Sequence, residues 1–194
     1  MIVRHGSRWL GVLGLADQPR SESRDVLVRL REMGLRPLVM LTGDNRGVAE
    51  AVGKALGVDQ IKAELLPEDK VSAVQALMQA HGALAMVGDG VNDAPALAQA
   101  TVGIAMGGAG TGVALETADV ALMGDDLRTL PFAVGLSRQA ARIIKQNLAI
   151  SMAVIAVLVA ATLLGWAGIG TAVLLHEGST MVVVANSLRL LAYV

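Results

Sequence analysis

Up to residue 126 the chain alternates short apolar runs with amphipathic stretches. The apolar runs are Pro37–Leu41, Ala83–Val87, Val102–Met106 and Val120–Met123, each of a length that suits a buried strand. Between them, Ser21–Gly34, Asn45–Gly57, Glu68–His81 and Asp93–Ala100 carry helical periodicity. Strand and helix alternating at this spacing predict a parallel sheet with covering helices, an α/β domain over residues 1–126. Ser21 suits a helix cap, Gly34 and Gly57 suit helix stops, and Pro67 with Glu68 and Asp69 suits a first turn. Val3–Leu15 reads as a strand with bulges at Gly11 and Gly14, ending at Asp17 before a proline. A chain that opens inside a strand implies a missing partner.

A different pattern follows. Leu127–Asn147 predicts a connecting helix with Arg138, Arg142 and Lys145 on one basic face. Gln146–Leu175 is thirty residues without a charge. Within it, 148–165 predicts a membrane span, since Leu148–Leu164 would cover roughly 25 Å of a ~30 Å hydrocarbon layer at ~1.5 Å per residue. Trp166 with Gly165, Gly168 and Gly170 suits an interfacial turn, and 171–191 predicts a second span. Basic residues before the first span and Arg189 at the end of the second place both termini in the cytoplasm by the positive-inside rule. The competing reading is a buried helix pair in a soluble protein.

Composition sharpens this division. The chain has 194 residues, 54% hydrophobic and 17% charged, with a mean hydropathy of +0.57. Beyond Lys145 the only charged residues are Glu177 and Arg189. One part is composed for water and the other for lipid. Zero cysteines exclude a disulfide scaffold, and a net charge of −1 with a pI near 6.3 argues against a nucleic-acid partner. The N-terminus lacks the basic and apolar regions of a secretory signal.

Three segments place carboxylates where open α/β sheets bind ligands, at the carboxyl ends of strands. They are LADQPR with Asp17, VMLTGDN with Asp44, and AMVGDGVNDAPAL with Asp89 and Asp93. Thr42 offers a hydroxyl and Gly43 an unobstructed backbone N–H, which suit a phosphoryl oxygen. Asp89 and Asp93 supply the hard oxygens that magnesium prefers, with Gly88 and Gly90 keeping the approach open. Asn92 can donate to the same phosphoryl group, and Lys70 can set a positive charge on it. Read one by one, TGD is also an ordinary turn with a helix cap and Lys70 an ordinary solvated charge; GDGVNDAPAL is far more specific. GGAGTGV at 107–113 fits neither a dinucleotide fingerprint nor a P-loop, so packing is its expected role.

TGDN, LLPEDK and GDGVNDAPAL, in this order and followed by an apolar pair, resemble the C-terminal portion of P-type ATPases across essentially the whole chain. The resemblance implies a haloacid dehalogenase-like, Rossmann-like domain followed by a two-helix transmembrane hairpin. It implies transfer of the γ-phosphoryl of ATP to an aspartate and hydrolysis of that aspartyl phosphate, with Mg2+ as cofactor. Thr42, Gly43 and Asp44 match the phosphate-contact motif, Lys70 the phosphate-binding lysine, and Asp89, Asn92 and Asp93 the magnesium and phosphate loop. Asp17 matches the hinge between nucleotide and phosphorylation domains.

In the second apolar segment, LLHEGSTMVVVANSLRLL sets ionisable groups where insertion costs roughly 2.5–3.5 kcal/mol per charge, so a functional site is the default expectation. His176 and Thr180 are one turn apart and Glu177 is three from Thr180, so imidazole, carboxylate and hydroxyl can converge. Nitrogen and oxygen donors suit borderline divalent transition ions, and no thiolate is present for copper(I). A hydrogen-bonded pair at a helix interface is the structural alternative. HEGST resembles the last transmembrane helix of the cobalt/zinc branch of heavy-metal P-type ATPases. That resemblance implies His176, Glu177 and Thr180 as cation ligands or gating groups, and a place in the cytoplasmic membrane with the α/β domain in the cytoplasm. It also implies a missing N-terminal portion of the pump as partner.

The family's DKTGT aspartate, nucleotide-binding and actuator domains and earlier helices do not occur in these 194 residues. The chain holds phosphate-binding groups without the nucleophile and is expected to be inactive alone. Two other classes compete: a membrane-anchored haloacid dehalogenase-like phosphatase, which requires a D-x-D pair that the sequence lacks, and a catalytically incomplete remnant.

Overall fold

The computed structural model describes residues 2–12, 18–89, 92–107, 116–124 and 126–193. The chain divides into two compact units, 1–129 and 130–194. In the first, β1 (Ile2–His5) and β2 (Arg8–Val12) form an antiparallel hairpin. The segment expected to be a single strand is therefore folded back on itself at Gly6–Ser7, which lets both strands satisfy their backbone groups against each other. Gly14 and Asp17 lie outside the described residues.

Helices α1 (Ser23–Glu32), α2 (Arg46–Leu56), α3 (Pro67–His81) and α4 (Ala94–Gln99) alternate with parallel strands. The strands are β3 (Val39–Leu41), β4 (Gln60–Lys62), β5 (Ala85–Gly88), β6 (Val102–Met106) and β7 (Val120–Leu122). β3 pairs with β4, and β5, β6 and β7 pair in that order, all parallel. Among the described residues no ladder joins β3 to β5. The two sets of strands still share a core, because Leu41 of β3 packs against Val74, Met86, Ala96 and Leu97. Leu97 is fully buried, so α4 is anchored by its apolar face.

Local signals explain both ends of α2 and the start of α3. Asn45 caps α2, its Oδ1 accepting from the Val48 N–H at 3.0 Å, and Gly57 ends it with φ 76°, a left-handed conformation open to glycine. The Asp69 carboxylate accepts from the Leu66 N–H at 3.0 Å, closing the first turn of α3 behind Pro67. Ser21 departs from its expected role: α1 is preceded by Glu22, and the Ser21 hydroxyl donates to the Glu22 carboxylate rather than capping the helix. A charged neighbour one residue away is the stronger acceptor.

The second unit holds two long helices. The basic connector and the first apolar segment form one uninterrupted helix, α5 (Thr129–Leu163). Among the described residues it is the one helix long and apolar enough to cross a membrane, with a mean hydropathy of 2.0 over its most apolar stretch. The turn at 164–168 leads into α6 (Ile169–Leu188), and Arg189–Ala192 tightens into a 3-10 turn. α6 would extend about 30 Å at 1.5 Å per residue, but His176, Glu177 and Asn186 dilute its apolarity, so the second expected span is weaker than the first. At the chain end Tyr193 packs on Phe132, ring centroids 5.5 Å apart.

A carboxylate that sequence patterning does not flag ties α1 to the β3–β4 pair. Asp59 accepts from the Leu38 N–H at 2.7 Å and from Arg31 at 2.8 Å, while Arg31 also donates to the Gly57 carbonyl. The Leu38 bond first, and then Arg31, hold the Asp59 carboxyl below its ordinary value of 3.8. A lowered native value gives stability that is fully present above the unfolded value and is lost as the pH falls through the folded one. Asp59→Asn is expected to lower the melting temperature at pH 7 and to make it fall less steeply below pH ~4. Thermal melts between pH 3 and 7 test this, and parallel pH profiles for the two proteins would refute it.

Candidate functional site

The loop after β3 is built by its own side chains. The Thr42 hydroxyl donates to the Asp44 carboxylate at 2.9 Å and accepts from the Asp44 N–H at 3.1 Å. The segment after β4 clasps the same loop. Leu65 N–H donates to the Thr42 carbonyl at 3.1 Å, and Glu64 N–H donates to the Asp44 carbonyl at 2.9 Å. Gly43 lies close beneath, where an added Cβ would stand 3.2 Å from the Leu65 carbonyl oxygen. Thr42, Gly43 and Asp44 thus form one fixed turn with a hydroxyl and a carboxylate at the carboxyl end of β3.

A second polar cluster comes from α3 and the β5–α4 turn. Lys70, in the first turn of α3, forms an ion pair with Asp93 at 2.6 Å, each side chain 17% exposed. Asp93 precedes α4, and its carbonyl accepts from the Leu97 N–H at 2.8 Å. Gly88, the last residue of β5, lies against the Asp93 side chain: a Cβ there would meet the carboxylate oxygen at 2.9 Å. Close passage of a bare backbone is what lets Asp93 turn toward Lys70. Asp89 and Asn92 flank the same turn and are exposed. Gly90 lies outside the described residues, as does most of the glycine-rich segment, residues 108–115.

Asp89 and Asp93 provide two hard carboxylates, and no group of three or more His, Cys, Asp or Glu poised for a metal occurs among the described residues. Two carboxylates suit magnesium, which keeps several waters and takes its remaining oxygens from a bound phosphate, rather than an all-protein cage.

In the second unit His176 and Glu177 line a cleft of about 480 Å³ between α5 and α6, with Ile155, Val159, Thr162 and Val173 among its walls. Thr180 is not among the cleft walls; its hydroxyl is directed at the His176 carbonyl of its own helix, at a long 3.5 Å. Ser179 bonds that carbonyl at 2.6 Å. Imidazole and carboxylate therefore share the cleft and the hydroxyls do not. Thr162, on the facing helix, lies in an apolar run that gave no reason to single it out.

Parallel strands alternating with helices, with polar loops at the strand ends, define an α/β unit. Residues 2–101 match the haloacid dehalogenase-like hydrolases, and the chain belongs to that family. It is 49% identical over 98% of its length to a Staphylococcus aureus protein described as a "Probable cadmium-transporting ATPase", of which it covers 24%. It is 47% identical over 97% of its length to the "Probable cation-transporting ATPase G" of Mycobacterium bovis, again covering 24%. The chain thus spans about a quarter of the length of these curated relatives. Among solved structures it is similar to the catalytic domain of the CPx-ATPase CopB-B, with 37% identity and a TM-score of 0.55 over 61% of this chain and 46% of that one.

The Gly88–Asp93 contact gives a direct test of the turn. Gly88→Ala is expected to destabilise the protein by about 1–3 kcal/mol through overpacking, while Gly124→Ala, where an added Cβ meets nothing within 4 Å, should stay within ~0.5 kcal/mol. Urea unfolding of both variants decides it, and equal midpoints would refute the close approach.

Proposed function

We propose that the chain is the C-terminal part of a P-type ATPase that exports a transition or heavy-metal cation. In this reading it supplies the magnesium- and phosphate-binding residues together with part of the membrane metal site. The observation that carries the reading is the Lys70–Asp93 pair, which joins two of the three motif segments into one charged turn at a strand end. The similarity to cadmium- and cation-transporting ATPases supports it.

The roles follow from donor chemistry. Thr42 and Gly43 offer a hydroxyl and a backbone N–H to phosphoryl oxygens, Asn92 a side-chain amide, and Lys70 a positive charge. Asp89 and Asp93 would hold Mg2+, which when bound neutralises charge on the transferring group. Lys70 also orients Asp93 through their ion pair. ATP is the substrate of the whole pump. The phosphorylated aspartate belongs to a further segment, and the edges of β3 and β5 left unpaired among the described residues are where an additional parallel strand would join and deliver it.

In the membrane, α5 and α6 form a hairpin whose cleft presents His176 and Glu177 to the cation, with Thr180 completing the set after a rotamer change. One nitrogen and one carboxylate on a single helix leave coordination positions for other helices of the pump. Borderline divalent ions suit this donor set, cobalt and zinc first, with cadmium the cargo named for the Staphylococcus aureus relative. The α/β unit works on the cytoplasmic side, where ATP is available.

In the whole pump, Glu177→Gln is expected to reduce metal-stimulated ATP hydrolysis to background while phosphorylation by inorganic phosphate persists. Asp89→Asn should lose phosphorylation from both ATP and inorganic phosphate. Radiolabelled phosphoenzyme assays with and without metal measure both. Full metal stimulation in Glu177→Gln would remove the membrane-site assignment, and normal phosphorylation in Asp89→Asn would remove the magnesium assignment.

A further inference from the structure

The helix pair carries a polar chain that neither the phosphoryl chemistry nor the cation ligands use. Arg189 donates to Asn186 Oδ1 at 2.9 Å, and Asn186 Nδ2 donates to Asn147 Oδ1 at 2.8 Å and to Gln146 Oε1 at 3.3 Å. Asn147 Nδ2 in turn donates to Ser187 Oγ at 2.8 Å, and Ser187 donates to the Val183 carbonyl at 2.9 Å. Both ends of the Asn147 amide are therefore engaged by the facing helix, one as acceptor and one as donor.

Such a chain has a fixed direction and tolerates little sliding. A shift of one residue rotates a helical side chain by about 100° and would break both Asn147 bonds together. The register set there runs through to the cleft. Twelve residues on from Asn147 stands Val159, and thirteen back from Asn186 stands Val173; both are cleft walls. Eight on stands Ile155 and nine back Glu177, again both in the cleft. Counts that differ by a single residue in opposite directions put these positions within about 1.5 Å of the same height on antiparallel helices. The facing apolar side chains between these levels are interchangeable in kind and do not specify one register among several.

We propose that Asn147 and Asn186 are positioning residues: they lock the register of α5 against α6 and thereby seat His176 and Glu177 against the α5 wall of the cleft. The importance of that seat rests on the cation-site reading above. The clamp acts at a distance, setting the height at which the cation's donors face α5. Ser187 is a supporting member, holding one of the two Asn147 bonds.

The chain has 0 cysteines, so register can be read by disulfide trapping without background. The full chain is reconstituted into phosphatidylcholine vesicles carrying either Val159→Cys with Val173→Cys, the matched pair, or Ile155→Cys with Val173→Cys, displaced by one turn. With the clamp intact, oxidation is expected to trap the matched pair in preference to the displaced one. Adding Asn147→Ala and Asn186→Ala should cut that preference by about fivefold, with helicity by circular dichroism unchanged. An unchanged preference would overturn the proposal. If the double alanine variant loses helicity, Ser187→Ala takes its place, with about a twofold loss of preference expected and no loss overturning it. Cobalt(II) titration of the cysteine-free chain and of its Glu177→Gln variant separates the two readings. Identical cobalt binding would remove the cation site, while the trapping result alone decides the clamp.

Discussion

The Lys70–Asp93 ion pair is the contact on which the chemistry proposed for the α/β unit depends. At 2.6 Å, with both side chains mostly removed from solvent, it holds two charges that would each be costly to bury alone. Breaking either partner leaves the other uncompensated. Three separate features make the pair possible: Lys70 in the first turn of α3, Gly88 passing close enough to admit the Asp93 carboxylate, and Leu97 anchoring α4 in the core. The pair is thus a product of packing, and it fixes the orientation of the carboxylate proposed to hold magnesium.

The two-helix unit meets the opposite problem. Its surface is apolar, and in the membrane setting proposed for it every polar group needs an internal partner. Thr162, Ser179 and Ser187 meet that demand within their own helices by donating to carbonyls three or four residues back. Asn147 and Asn186 cannot do so fully and meet it across the helix pair instead. His176 and Glu177 stand apart from both solutions by facing a cleft.

Much of the α/β unit was legible in the chain. β6 follows the apolar run at 102–106, and α2, α3 and α4 begin and end near their sequence signals, because those runs and stops reflect local backbone preferences and core-facing periodicity. β4 was not legible: Gln60-Ile61-Lys62 holds one apolar residue among three, and its strand geometry comes from pairing with β3. The N-terminal hairpin was hidden for a related reason, since alternation along Val3–Val12 looks the same whether the chain runs straight or folds back. Ser21 looked like a cap because spacing cannot show that Glu22 would compete for its hydroxyl.

What the sequence determined by itself was the chemistry available: the carboxylates of TGD and GDGVND, the lysine of PEDK, the ionisable pair in an apolar segment, and the division between a charged part and an apolar one. Those are properties of residue type and spacing. Tertiary structure decided which of these groups meet. It joined Lys70 to Asp93 across 23 positions, put His176 and Glu177 on a cleft while turning the Thr180 hydroxyl onto its own backbone, and matched Asn147 to Asn186 across 39. Such pairings depend on how helices and strands pack in space, which local periodicity does not encode.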